Sequence, residues 1–224
     1  FSLGALRHGT SFLREITACC TNFSGSIRVA TIYSIGLHNL PPYVKKFLKA
    51  YPTVSVHLEY QRANQVYEDV LGNVVDLGLV AYPTKDPRLE VIPFREETMV
   101  LICHPGHALS KIKSVQISQL QGQRFIGFQH DIPTRRAIDK ILREAETEVK
   151  MVMEFDNIKT VKRAVEIEAG VAIVPIDTVA QEVAKHTLVA LPFTKPLPER
   201  PLAVIHRRSK VLSPAMKRFI DLLK

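Results

Sequence analysis

Cysteine and long apolar runs are scarce in this sequence, and both deficits exclude classes of protein. Three cysteines occur among 224 residues, Cys19, Cys20 and Cys103. They are too few for a disulfide framework and lack metal-ligand spacing, so we interpret them as buried or unreactive thiols in a reducing cytoplasm. No apolar run approaches the ~18 residues that a membrane-spanning helix needs. We therefore expect a cytoplasmic globular protein without a membrane partner.

Motifs of the common enzyme classes are also missing. The sequence contains no G-x-S-x-G, no phosphate-binding P-loop, no G-x-G-x-x-G and no H-E-x-x-H. Its 8 histidines are dispersed, which gives a metal site no support. His130 and Asp131 are neighbours, but no nucleophile accompanies them, and we interpret them as part of a loop and helix cap. We expect no enzymatic activity, no metal and no cofactor.

Positive charge is present in excess, with 30 Lys+Arg against 22 Asp+Glu and a formal net charge of +8. Such a balance suits nucleic acid, an anionic surface or a small anionic ligand. The cations are dispersed, however, and do not interleave with aromatic residues as they do in single-strand binders. We interpret most of them as solvated surface.

The hydrophobic periodicity describes one α/β unit and then a second copy of it. In each unit three strand patterns alternate with two helix patterns, and corresponding elements are about 95 residues apart. The predicted strands are Ser26–Ala30, Val54–Tyr60 and Asp76–Val80 in the first unit, and Arg124–Phe128, Met151–Phe155 and Val171–Val174 in the second. This alternation predicts right-handed crossovers and a mainly parallel sheet in each unit.

Three residues are predicted to mark helix ends. Asn64 and Asn157 each stand before an apolar helical pattern, where an amide side chain can cap the first turn. Gly170 follows the pattern of the last helix and is predicted to be its left-handed stop.

Two further strand patterns predict how the units are joined. Thr98–Cys103 follows the first unit, and Pro201–His206 comes late in the chain. If the late strand returns to the first unit, the chain crosses twice between two Rossmann-like lobes. The predicted fold is thus α/β, with two lobes, a two-strand hinge and a cleft between them. Ligands of open parallel sheets bind beyond the carboxyl ends of the strands.

Several segments resemble the effector-binding domains of LysR-type transcriptional regulators. Their order and spacing carry the resemblance, which runs from Ser24 to the C-terminus. The matching segments are Ser24–Ala30 with Leu40-Pro41, Val70–Leu79, Pro105–Leu109 and Val165–Pro175. Arg135–Asp139 and Phe155–Val165 are most similar to the branch that regulates carbon fixation and cysteine metabolism.

This sequence departs from the family pattern at three positions. Asn73 stands where glycine is usual, Ala108 replaces proline, and Glu168 replaces a small residue. The resemblance implies a fold like that of the type 2 periplasmic binding proteins. It divides the chain into the end of a linker helix at 1–23, lobe I at 24–103 plus 204–224, and lobe II at 104–203.

The resemblance also implies a function. We expect an effector-sensing domain that binds a small anionic metabolite, an organic or phosphorylated acid, in the cleft between the lobes. The full regulator would be a homodimer or homotetramer that binds DNA through a domain preceding Phe1, with RNA polymerase as a further candidate partner. A secreted solute-binding protein and an enzyme on the same scaffold remain the alternatives.

The predicted effector-binding residues follow strands of the two units. Ser34 and Thr134 stand at the family's ligand-contacting positions, although Ser34 could equally serve only as a helix cap. Arg62 and Arg135 are predicted to neutralise the anion, although a solvated role is open for both. The complete predicted set is Tyr33, Ser34, Ile35, Gln61, Arg62, Ala81, Gln129, Pro133, Thr134 and Arg135.

Overall fold

The computed structural model describes residues 24–224, which form two α/β lobes. The strands of lobe I are β1 Gly25–Ile32, β2 Val54–Gln61, β3 Leu77–Ala81, β4 Leu89–Glu97 and β10 Arg200–Arg207, and its helices are α1 Pro41–Ala50, α2 Ala63–Leu71 and α6 Pro214–Leu223. The strands form one five-stranded sheet in the order β2-β1-β3-β10-β4. A π-helical turn, Ile35–Asn39, precedes α1. The predictions for the linker helix, Cys19 and Cys20 lie outside the described residues.

Lobe II repeats this arrangement. Its strands are β5 Met99–Cys103, β6 Arg124–Phe128, β7 Lys150–Phe155, β8 Ala172–Pro175 and β9 Val189–Leu191, and its helices are α3 Pro133–Glu144, α4 Ile158–Glu166 and α5 Ala180–Ala184. Three short 3-10 helices, Ala108–Lys111, Ile117–Leu120 and Ile176–Thr178, complete the lobe.

Strand pairing confirms the repeat and corrects the predicted strand directions. In lobe II β8 pairs with β5 and β5 with β9, while β6 pairs with β7. A parallel bridge between Phe125 and Val171 joins β6 to β8, so the order is β7-β6-β8-β5-β9. The three strands of each unit are parallel. In lobe I β10 runs antiparallel to them and β4 pairs antiparallel with β10, and in lobe II β5 and β9 repeat this pattern. Each sheet is therefore mixed, because two of its four strand pairings are antiparallel.

The chain crosses between the lobes at two points, as predicted, but the boundaries differ. Met99–Cys103, which was assigned to lobe I, pairs with β8 and β9 of lobe II. Leu202 and Ala203, which were assigned to lobe II, pair with β3 and β4 of lobe I. The crossings therefore lie at Thr98 and immediately before Arg200.

Each lobe has its own apolar core. In lobe I the rings of Phe47 and Phe219 meet edge to face at a centroid distance of 5.1 Å, which packs α1 against α6. Both side chains are fully buried, and burial of one such ring stabilises the fold by about 1.5–3 kcal/mol. The core of lobe II surrounds Leu101 and Phe125. Within residues 24–224 no helix is long and apolar enough to span a bilayer.

The predicted helix ends are partly confirmed. Asn157 caps α4, because its side chain accepts a hydrogen bond from Thr160 N at 3.2 Å. Asn64 lies inside α2 and makes no cap, since that helix already begins at Ala63.

The predicted stop at Gly170 is wrong. The left-handed residue after α4 is Glu168, with φ 61°. Gly170 serves a different purpose, because a Cβ there would lie 2.5 Å from the carbonyl oxygen of Arg124 on β6. Asn73, which replaces the family's glycine, also adopts a left-handed conformation with φ 58°. Asparagine tolerates this region better than most residues.

Candidate functional site

A cavity of about 430 Å³ lies between the lobes. Its walls come from the carboxyl ends of β1, β2 and β3 in lobe I and of β6, β7 and β8 in lobe II. The volume falls within the range of small-molecule sites. The predicted cleft therefore exists, and it lies where parallel strands of both lobes end.

Three helices begin at this cavity and give it a positive potential. Ala63 of α2, Pro133 of α3 and Ile158 of α4 all line it. The first turn of a helix presents unpaired N–H groups and a partial positive charge, which together favour an anion.

The charged side chains that line the cavity include more cations than anions. They are three arginines and two aspartates: Arg62, Arg136, Arg200, Asp131 and Asp156. Helix ends and arginines together make the cavity suited to a small anion.

Arg200 ties the two lobes together on this cavity. Its side chain is 3% exposed, and its Nη1 is ion-paired with the fully buried carboxylate of Glu97. Nη2 donates to Ser34 Oγ in lobe I at 2.9 Å, and Nε donates to Thr134 Oγ1 in lobe II at 3.2 Å. Glu97 ends β4 and Arg200 begins β10, so the buried pair sits where the chain passes between lobes. Removal of one partner from a buried pair costs about 3–5 kcal/mol.

Arg62 bridges the lobes a second time at the exposed edge of the cavity. Its guanidinium in lobe I binds the side chains of Gln129 and Asp131 in lobe II, the latter at 3.2 Å. The Arg62 and Asp131 side chains are 41% and 52% exposed. An ion pair this exposed contributes only about 0–1 kcal/mol, so the contact can be exchanged for a ligand at little cost.

Most of the predicted site residues are brought together. Seven of the ten line the cavity: Tyr33, Ser34, Gln61, Arg62, Ala81, Pro133 and Thr134. Ser34 makes no side-chain cap to the helical turn that follows it. Its hydroxyl is engaged by Arg200 instead, so the alternative of a simple helix cap is not what the structure has.

The other three predicted residues lie outside the lining. Ile35 is fully buried in the core of lobe I. The side chain of Gln129 accepts a hydrogen bond from Arg62 at the exposed edge of the cavity. Arg135 is ion-paired with Asp139 and Glu154 and donates to the Phe128 carbonyl at 2.7 Å. An effector contact from Arg135 stays a prediction.

Two arginines of the lining were not predicted. Arg136 follows Arg135 on α3, and the sequence alone does not show which of two adjacent helical residues faces a cavity. Arg200 is recognised only when β10 is paired between β3 and β4, because its partners lie 66, 103 and 166 residues away. Asn157 was predicted as a cap, and it also lines the cavity.

No metal site is found in the described part of the chain. Among residues 24–224, no three His, Cys, Asp or Glu side chains are grouped so that they could hold an ion. Cys103 is buried, and burial raises the pKa of its thiol to about 11. The thiolate needed for redox chemistry or metal ligation is therefore disfavoured at neutral pH.

Comparison with known proteins gives a consistent result. The family described as "LysR substrate binding domain" matches residues 21–224. The "Uncharacterized HTH-type transcriptional regulator YbhD" of Escherichia coli (strain K12) is 29% identical over 89% of this chain and 62% of that protein. The "Probable RuBisCO transcriptional regulator" of Cyanidioschyzon merolae (strain NIES-3377 / 10D) is 28% identical over 71% of this chain and 54% of that protein. The chain thus spans less than two thirds of either relative.

A solved structure gives the fold class. The regulatory domain of CcmR from Synechocystis PCC6803, in complex with 2-PG, superposes with a TM-score of 0.81 at 24% identity. The match covers 89% of this chain and 96% of that one. The fold is that of the type 2 periplasmic binding proteins, as the resemblance implied.

Proposed function

The chain belongs to the LysR substrate-binding domain family, and from that premise we propose that it senses a small anionic metabolite and transmits its binding to transcription. The observation that carries this proposal is the convergence of three helix N-termini and three arginines on one cavity between two lobes. An anion held there contacts both lobes at once.

The mechanism that follows is a population shift. A ligand bound between Ser34 of lobe I and Thr134 of lobe II interacts fully with only one relative position of the lobes, so it favours that position. Arg62 and Arg136 supply charge at the edge of the site, and Arg200 supplies it at the interlobe contact. The exposed contact from Arg62 to Asp131 is the one that the ligand replaces at least cost.

The effector is proposed to be an organic or phosphorylated acid that needs no cofactor. The 2-PG complex of the CcmR domain supports this class, because the fold is shared and the lining here is cationic. The likeness to a RuBisCO regulator supports the carbon-fixation branch that the sequence indicated.

The proposal extends to the whole regulator. In it the chain would act as the cytoplasmic input domain of a homodimer or homotetramer that binds DNA through a domain outside these 224 residues. RNA polymerase is the further candidate partner. The relatives are transcriptional regulators, which favours this function over solute transport and over catalysis. Turnover of a bound metabolite, followed by NMR, would contradict it.

Ligand binding to the isolated chain tests the proposal. We expect at least one member of a panel of hydroxy acids, dicarboxylic acids and phosphorylated acids to raise the melting temperature and to release or absorb heat in calorimetry. Arg136→Gln should weaken that binding roughly tenfold, because it removes one charged contact. Arg143→Gln, two turns further along the same helix and outside the cavity lining, is the matched control and should leave the affinity unchanged. A panel without any binder overturns the proposal.

A further inference from the structure

The hydroxyls of Ser34 and Thr134 are held in an unusual way, since both accept hydrogen bonds from the same guanidinium. Arg200 donates to the first through Nη2 and to the second through Nε. These two nitrogens share one edge of the planar group, the edge that binds both oxygens of a carboxylate in a bidentate pair. The two hydroxyl oxygens therefore lie side by side, one from each lobe.

This arrangement determines what the hydroxyls can offer to a ligand. A hydroxyl has one hydrogen to donate, and an arginine can only donate. Because both oxygens already accept from Arg200, both hydrogens remain to be donated. Between described residues no hydrogen bond is formed in which either hydroxyl is the donor, and both residues line the cavity. The cavity thus presents two adjacent O–H donors.

Glu97 holds Arg200 in this position. Its carboxylate is ion-paired with Nη1 of Arg200, and both side chains are almost fully buried. The carboxylate holds the guanidinium turned so that its Nε/Nη2 edge meets the two hydroxyls. Arg200 is 2% exposed, Thr134 4% and Ser34 9%, so water competes little for these contacts.

We propose that Arg200 is the positioning residue of the site: it fixes the Ser34 and Thr134 hydroxyls as a pair of donors and so makes the site selective for a carboxylate over an uncharged amide. A carboxylate accepts both donors with its two oxygens, and the buried cation behind them strengthens each bond. A carboxamide of the same shape has an NH₂ group in place of one oxygen. That group donates rather than accepts, so it cannot accept the hydrogen of the hydroxyl that it faces. This inference rests on the proposed function and names the part of the effector that the two lobes share.

Acetate and acetamide test the selectivity, since they differ only in this group. The amide NMR signals of Ser34 and Thr134 are followed in the 224-residue chain at constant ionic strength. Titration extends to roughly 200 mM, because a ligand of so few atoms binds weakly. We expect acetate to shift both signals to saturation and acetamide to leave them in place. Equal responses to both probes, or no saturable response to acetate, overturn the proposal.

Variants separate positioning from a structural role. Thr134→Val and Ser34→Ala each remove one donor and should weaken acetate binding roughly tenfold, whereas Thr134→Ser keeps the hydroxyl and should restore binding. Arg200→Lys keeps the positive charge but lacks the paired Nε and Nη2 donors, so the protein should no longer prefer acetate over acetamide. Thr194→Val, at an exposed hydroxyl outside the cavity, is the control and should bind as the unchanged chain does.

Two results would contradict the role proposed for Arg200 and would leave the proposed function unaffected. Undiminished acetate binding by both Thr134→Val and Ser34→Ala would mean that the anion binds Arg200 directly. Absence of acetate binding, together with a panel metabolite that raises the melting temperature, would leave a sensor whose ligand is held by other groups. Failure of acetate and of the entire panel overturns both proposals.

Discussion

Asp76 is a buried carboxylate whose partners lie far apart in the chain. It accepts the backbone N–H of Arg28 on β1 at 2.8 Å and the Nζ of Lys210 at 2.7 Å, and its side chain is 7% exposed. Burial raises the pKa of this carboxyl, but the hydrogen bonds from Lys210 and Arg28 outweigh that effect and keep the pKa below its usual 3.8. We expect Asp76→Asn to lower the free energy of unfolding by about 2 kcal/mol, the cost of losing charged hydrogen bonds in a buried place. Urea denaturation at pH 7 measures it.

Asp86 is the matched control at the residue scale. It pairs with Arg88 at 2.7 Å, but this pair is more exposed, with the Arg88 side chain 68% and the Asp86 side chain 21% accessible to solvent. Hydrogen bonds from Arg88 hold the pKa of Asp86 at about 2. An exposed pair is screened by water and salt, so Asp86→Asn should leave the midpoint of the urea transition nearly unchanged. Equal losses in the two variants would mean that burial does not decide what these carboxylates contribute.

Helix caps allow a comparison at the scale of one element, because the sequence predicted two asparagine caps and the structure has one. Asn157 has extended backbone angles, φ −138° and ψ 156°, and its side chain caps α4. Asn64 is the second residue of α2. Asn157→Ala should therefore destabilise the protein by about 1 kcal/mol. Asn64→Ala should be neutral or slightly stabilising, because alanine has the higher helix propensity at an exposed helical position. Chemical denaturation of both variants checks this, and a larger loss from Asn64→Ala would refute the assignment.

The elements were more predictable than their ends, for a physical reason. Alternation and helical periodicity extend over many residues, and the sequence therefore located all six strands of the two repeated units. A cap or a stop depends on the backbone angles of one residue, which neighbouring contacts set. Gly170 was predicted as a stop from its residue type, yet its role is to let β6 approach closely, and Glu168 takes the left-handed angles. The sequence made no prediction of the direction of β5, because the patterns of an antiparallel and a parallel strand are the same when both are buried.

At the scale of the whole molecule, the site could be predicted only as far as local loops determine it. Ser34 and Thr134 lie in the first βα loop of each unit, where the family resemblance implied ligand contacts. Arg200 comes from the strand that returns across the lobes, and no local pattern connects it with hydroxyls more than 60 residues away. The interlobe contacts of Arg62 and Asp131 likewise depend on the relative position of two units that fold separately.

A further interlobe contact lies in the π-helical turn that follows Ser34, and it predicts how the closed molecule responds to acid. His38 of lobe I faces the charged groups Lys162, Glu182, Lys159 and Asp177 of lobe II. Burial, and next the charge of Lys162, lower the pKa of His38 from 6.5 to about 4. Its Nε2 is buried without a hydrogen-bond partner among the described residues. The neutral imidazole is thus the form that fits between the lobes.

The sign of the pH dependence follows from this lowered pKa. The unfolded chain takes up the proton near pH 6.5, and the folded chain takes it up only near pH 4. The stability from neutral His38 is therefore complete above pH 6.5 and is lost as the pH falls toward 4. Urea denaturation through this window should show a steep decline for the unchanged chain and a shallower one for His38→Gln, which has no proton to take up. His57→Gln, at an exposed position on β2, should keep the steep decline. If His38→Gln declines as steeply as the unchanged chain, other groups carry the acid sensitivity and the interlobe histidine does not.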